Sequence, residues 1–298
     1  MSGTGLPGPA WLPAAGQARG AGALRAALRL RRTRIGLALL ALLTALAVLG
    51  PHVAPHSPAA FIARPDSGPS ALAPLGTDYL GQDVLSRFLS GGGAILATAF
   101  AAALGGVIAG VALGLIAAYA RGALDALVMR ILDVILAFPP IMLALVAVAT
   151  TGPSTWILIT AVAITTAPRV ARVTRGAAQP VVVRDFVAAA EALGLPRWRI
   201  VISEVLPSTL GPVLVEATLR LTYAIGLIAS LAFLGLAANP NGANWGTMIQ
   251  QNQTALAVQP WGVVLPITAI ALLTIGTGLI GDGIARAFAG LDRGREPG

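Results

Sequence analysis

Few side chains in this sequence can do chemistry, and they come in small groups. Asp78, Asp83 and Arg87 lie close together in one segment. Arg130 and Asp133 are three residues apart, and Glu216 and Arg220 four apart. Both spacings set opposite charges on one helix face, where they can pair. His52 and His56 are the only histidines and are also four apart, a spacing with which a helix could present two imidazoles to a metal. The chemistry within reach of these groups is ion pairing, gating of a path, or an incomplete metal site. Catalysis is not among them. There is no Gly-x-Ser-x-Gly, no His-Glu-x-x-His and no cysteine, which removes thiolate metal sites, disulfides and cysteine nucleophiles together. All 20 basic residues are arginine. Without the lysine of a phosphate-binding loop the chain is not a Walker-type ATPase.

The elements that must position these groups belong in a membrane. Only 11% of residues are charged against 56% hydrophobic, and residues 35–63, 88–120, 134–168 and 221–281 carry no Asp, Glu, Lys or Arg. A spanning helix needs about 20 apolar residues, so each gap accommodates one or two. The reading is an all-α membrane protein with six transmembrane helices. A basic, Gly/Pro/Ala-rich disordered tail over 1–34 precedes a first span at 35–55. A segment at 56–92 follows, then a five-helix core at 93–289 and a short tail at 290–298. Within the core, spans are expected at about Gly93–Ala120, Leu124–Ala149 with a kink at Pro139-Pro140, Trp156 to Arg169, Pro212–Ala237, and Trp261–Phe288. Gly106, Gly110 and Gly114 share one face of the second span and permit close packing. Trp156, Trp245 and Trp261 lie near span ends, where tryptophan anchors at the interface.

Arginine distribution sets the orientation. With both termini cytoplasmic, seventeen arginines fall in inner segments and two, Arg64 and Arg87, in outer ones. That bias follows the positive-inside rule. It also accounts for the net charge of +8 without nucleic acid as a partner. The placement of Arg130/Asp133 and Glu216/Arg220 near inner span ends favours structural ion pairs, a gate being the alternative. Pro51, Pro55 and Pro58 interrupt any helix around the two histidines and no carboxylate accompanies them locally, so no metal is expected there.

Between the fourth and fifth spans, residues 176–207 form a polar loop. Asp185–Leu193 is a short Ala-rich helix; Gly194 suits its C-terminal cap, with Pro196 just beyond. A second short helix starts at Pro196, with Trp198 and Ile202 on one side.

Several segments together resemble the dipeptide/oligopeptide ABC transporter permease family, C-type subunit. They are LGTDYLGQDVLSR at 75–87, MRILDVILAFP at 129–139, SLAFLGL at 230–236 with WGTM at 245–248, and GDG at 281–283. The loop FVAAAEALGLPRWRIVISEVLP at 186–207 is similar to that family's coupling loop. Ala188, Ala189 and Ala190 stand at its Glu-Ala-Ala element, Gly194 at its glycine and Leu206-Pro207 at its end. Ala188 departs from the pattern, and Glu191 lies one helical turn on. The resemblance implies a permease subunit of an ATP-driven importer in the bacterial inner membrane. Its implied partners are a homologous permease, two P-loop ATPase subunits and an extracytoplasmic substrate-binding protein; ATP and magnesium bind the ATPases, and this chain carries no cofactor. It further implies a cytoplasmic coupling helix that docks an ATPase through Asp185, Phe186, Ala188, Ala189, Ala190, Glu191, Gly194, Leu195, Pro196, Arg197, Trp198, Leu206 and Pro207. Gly76, Thr77, Asp78, Gly81, Asp83 and Arg87 would either meet the binding protein or order their own turn-rich loop. Peptide is the expected cargo; a nickel chelate or haem, or an ion-coupled secondary transporter, are the alternatives.

Overall fold

The computed structural model describes residues 15–239 and 242–293. Five helices are long and apolar enough to cross a membrane: α2 (Arg31–Val53), α3 (Val84–Ala120), α6 (Thr155–Val182), α11 (Trp261–Arg293) and a helix running Arg197–Phe233. A bent pair, α4 (Gly122–Leu136) and α5 (Pro140–Thr151), is together long and apolar enough to count as a sixth if the two form one broken span. The expected kink at Pro139-Pro140 is in fact a break of 81°. Pro140 lacks an N–H, and the residue before a proline is pushed out of the helical region. Pro139 is accordingly extended, and the chain restarts as a new helix with Pro140 in its first turn.

Helix ends follow local chemistry. Asp83 caps α3, its carboxylate accepting from the N–H groups of Leu85 and Ser86 at 3.3 and 3.0 Å. This cap starts the helix at Val84 rather than at the expected Gly93. The Ser154 hydroxyl accepts from Ile157 at the start of α6. Arg121 and Gly122, both at positive φ, separate α3 from α4.

The core is built on the seam between α3 and α6. Gly106, Gly110 and Gly114 are buried, and each faces one turn of α6: Ala163 and Thr166, then Ala167 and Val170, then Ala171 and Thr174. A Cβ on Gly110 would sit 2.5 Å from the Val170 Cβ and 2.6 Å from the Ala167 carbonyl oxygen. The glycine face is therefore a close-packing surface, as small residues permit in lipid.

Three expectations are corrected. The tail read as disordered contains a helix, α1 (Ala15–Arg29), whose Ala23 and Ala27 are buried; Ala27 packs with Ile284 and Ala287 of α11. Short helices owe most of their stability to tertiary packing, which composition does not display. Residues 1–14 of that tail lie outside the described residues. The stretch 238–260, which the sequence reading leaves as a connection between the spans at Pro212–Ala237 and Trp261–Phe288, holds a further helix, α10 (Trp245–Asn252). Trp245 is no interfacial anchor: it is fully buried, stacks on Phe88 at 5.5 Å between centroids, and donates its indole N–H to the Phe88 carbonyl at 2.8 Å. Trp156, by contrast, is exposed.

Candidate functional site

At one end of the bundle the chain leaves α6, turns through α7 (Asp185–Ala192), and enters α8 (Arg197–Ile200). Asp185 in the first turn of α7 complements the positive end of the helix dipole. The helix stops in a Schellman arrangement: Leu195 N–H donates to the Ala190 carbonyl at 3.2 Å and Gly194 N–H to the Glu191 carbonyl at 2.9 Å. This geometry requires a left-handed residue, and Gly194 sits at φ +74°.

The elbow has two faces. Inward, Val187, Ala190, Ile200 and Val205 pack with Leu115 and Ala118 of α3 and with Ala178, Val181 and Val182 of α6. Outward stand Phe186, Leu193 and Trp198, exposed to 40%, 75% and 67%. Three large apolar side chains in close sequence are left uncovered on a turn held from behind, as residues awaiting a partner would be. Asp185, Ala188, Ala189, Pro196 and Arg197 are exposed beside them; Leu195, Leu206 and Pro207 are half-buried. Glu191 accepts a hydrogen bond from the Tyr119 hydroxyl at the end of α3, so it tethers α7 to the bundle. Ala188 offers no such contact.

The second half of the elbow is not a separate helix. After α8 a π turn, Val201–Val205, leads without interruption into α9 (Leu206–Phe233). Leu206 N–H reaches back five residues to the Val201 carbonyl. Pro207, next in the chain, has no N–H and its ring crowds the carbonyl one turn before; the wider π turn makes room for it. The fifth span therefore begins at Arg197 rather than at Pro212, and its first residues carry the exposed patch.

The other end of the bundle is organised oppositely. Asp78 and Asp83 are fully buried and Arg87 nearly so. Arg87 is ion-paired with Asp78 and donates to the Gln251 side-chain oxygen at 3.0 Å. Asp78 also accepts from Leu80 N–H at 2.9 Å and Gln82 N–H at 2.8 Å. Asp83 spends its carboxylate on the α3 cap and on the Ser86 hydroxyl. Gly76 and Gly81 hold left-handed turns in this loop, and the Thr77 hydroxyl donates to the Arg64 carbonyl at 2.6 Å. Asn252 accepts from Tyr79 N–H, and Gln259 donates to the Leu75 carbonyl at 2.7 Å. The loop's charges and the amides of the segment after α9 hold one another; none of the three charged groups is presented to a partner.

The remaining candidates separate. Asp133 is paired with Arg172 of α6, not with Arg130, which stands exposed. The neighbouring helix supplies a guanidinium that the i,i+3 spacing did not reveal. Glu216 and Arg220 do pair, at 2.8 Å, and the Arg220 guanidinium lies 5.7 Å above the Tyr223 ring centroid. A forked pair between Asp125 of α4 and Arg175 of α6, at 2.5 and 2.6 Å, was not anticipated. Its partners are 50 residues apart, as Tyr119 and Glu191 are 72 apart, and no local spacing could reveal either. His56 lies 3.6 Å from the Asp83 carboxylate. His52 ends the first span in the last turn of α2.

Residues 110–290 match the family described as binding-protein-dependent transport system inner membrane component. The dipeptide transport system permease protein of Alkalihalophilus pseudofirmus is 38% identical over 221 residues, covering 74% of this chain and 73% of that one. The di/tripeptide transport system permease protein of Pseudomonas aeruginosa is 35% identical over 260 residues, 85% of this chain and 86% of that one. The glutathione transport system permease protein of Pectobacterium atrosepticum is 36% identical over 225 residues, 76% and 75% of the two chains. Among solved structures, a chain of the inward-facing MetNI methionine ABC transporter has the same fold, with a TM-score of 0.53 and 21% identity over 68% of this chain and 96% of that one.

Proposed function

Because the chain belongs to the binding-protein-dependent transport system inner membrane components, we propose that it is the permease subunit of an ATP-driven importer for peptides. The observation that carries the mechanism is the uncovered patch of Phe186, Leu193 and Trp198 on a turn that runs without a break into a membrane-spanning helix. In this reading an ATPase subunit covers the patch, and a second ATPase covers the equivalent turn of a homologous permease. ATP and magnesium bind those subunits. Closure of the ATPases pushes the elbow; α9 moves with it because α8, the π turn and α9 are one helix, and α3 and α6 follow through the apolar contacts behind α7.

The cargo class rests on the relatives, named for dipeptides, di/tripeptides and glutathione. An extracytoplasmic binding protein delivers the cargo, and it docks on surfaces other than the buried Asp78, Asp83 and Arg87. In this reading both termini face the cytoplasm, an orientation that the arginine distribution supports.

Gly194→Val tests the coupling. A β-branched residue is strained at φ +74° and should distort the elbow without touching the spans. Reconstituted with its partners, the variant should insert normally but hydrolyse ATP without uptake; unchanged uptake refutes the coupling role. For orientation, single cysteines replacing Ser70 and Ser203 can be introduced cleanly, since the chain has no cysteine. An impermeant reagent should label Ser70→Cys in intact cells, and Ser203→Cys only after permeabilisation. The reverse pattern would invert the topology.

A further inference from the structure

Helix α1 and the bend that joins it to α2 have no part in the coupling reading. Along α1 the described side chains form three stripes with four-residue spacing. Ala23 and Ala27 are buried, and Ala27 packs against α11. Leu24 and Leu28 are exposed at 39% and 53%. Arg25 and Arg29 are exposed on the next face. The chain then bends at Leu30, which is extended at φ −69° and ψ 132°, and α2 opens with Arg31, Arg32 and Arg34, all exposed. Arg286 of α11, the residue before Ala287, adds a further exposed guanidinium. Among the described residues, Asp282, 3.9 Å from Arg32, is the acid in ion-pair contact with this group. Of the guanidiniums, that of Arg34 also donates to the Leu28 carbonyl at 3.2 Å, which closes the bend.

We propose that α1 and this bend are a docking surface for anionic phospholipid headgroups. The basic side chains lie at the mouth of a membrane span, where headgroups are found. Guanidinium forks match phosphate oxygens. The leucine stripe beside them suits the boundary between headgroups and acyl chains, the arrangement by which amphipathic helices lie in an interface. A juxtamembrane arginine cluster of this density reads as a binding site for anionic lipid. A soluble anion would use the arginines and leave the leucines without a role. The packing of Ala23 and Ala27 means that lipid bound here presses on α11 and, through Leu214 and Val215, on α9. The lipid surface thus backs onto the helix that carries the elbow.

The test uses the purified, delipidated full chain in detergent, where topology cannot influence the result. Phosphatidylglycerol and phosphatidylcholine of identical acyl chains are titrated, and bound lipid is counted by native mass spectrometry. Phosphatidylglycerol should bind about tenfold more tightly, and Arg25→Gln/Arg29→Gln/Arg31→Gln/Arg32→Gln/Arg34→Gln should reduce that preference to about twofold or less. Arg25→Gln/Arg29→Gln, which leaves the first span untouched, should reduce it partially, and serves if the larger variant does not fold. An equal preference in wild type and both variants, or no preference in wild type, overturns the proposal. Displacement of the lipid by millimolar inorganic phosphate also overturns it, because the site would then be one for free anions.

Discussion

The two ends of this bundle use their side chains in opposite ways. At one end, the charged residues Asp78, Asp83 and Arg87 are buried and hydrogen-bonded to their own loop and to α10. At the other, the apolar residues Phe186, Leu193 and Trp198 stand in the open on an elbow closed by the backbone hydrogen bonds of Leu193, Gly194 and Leu195. A sequence reader assigns contact with partners to charges and burial to apolar residues. Here the charges hold the structure, and the apolar residues are left for something else to cover. The lesson is energetic. A buried ion pair is costly to break and so serves to fix a loop, whereas an exposed tryptophan has no internal reason for its position.

Substitutions at the two ends should differ in cost, the largest falling on the buried ion pair. Arg87→Met leaves Asp78 buried and unpaired, a change that costs about 3–5 kcal/mol, so the variant should be recovered poorly or melt far below wild type in detergent. Replacing both partners, Asp78→Asn with Arg87→Met, should restore part of that loss, because an amide oxygen still accepts from the Leu80 and Gln82 N–H groups while no unpaired buried charge remains. If the double variant is stable yet the assembled importer no longer accepts cargo, the loop does serve a partner and the contrast fails.

Gly110→Val addresses the seam that positions both ends. With 2.5 Å between the new Cβ and that of Val170, α3 and α6 must move apart, at about 1–3 kcal/mol in thermal melts. Asp133→Asn removes a pair whose side chains are half-exposed, at 50% and 56%, and should cost only about 0.2–1 kcal/mol. Trp198→Ala sharpens the comparison most while affecting the fold least. Stability should stay within about 0.5 kcal/mol, as for surface changes. Association with the ATPase should weaken on the order of tenfold or more, measured by co-purification at graded concentration. Loss of stability with unchanged association would make the tryptophan a structural residue.

Much of the site was legible in the sequence. The Ala-rich run ended by Gly194 and Pro196 announced a short helix and its cap, and α7 ends there with the expected left-handed glycine. What could not be read was that Arg197 opens the fifth span. The π turn that joins them depends on where Pro207 must fit, and its hydrogen bond skips the usual register. The Arg130–Asp133 expectation went astray for a related reason. Spacing along one helix identifies who can pair, while Arg172 on α6 decided who does.

By itself, then, the amino-acid order determined that the chain lies in a membrane and roughly where it crosses. It also placed the Pro139-Pro140 break, the elbow after Gly194 and the glycine face of α3. These are consequences of local properties: runs without charge, prolines without an N–H, a glycine free to adopt positive φ. Only the tertiary structure decided which faces are covered. It turned Asp78 and Arg87 inward, buried Trp245 against Phe88, folded α1 onto α11 and left Trp198 outside. Burial is a property of neighbours brought from far along the chain, and no single segment carries the information about what will pack against it.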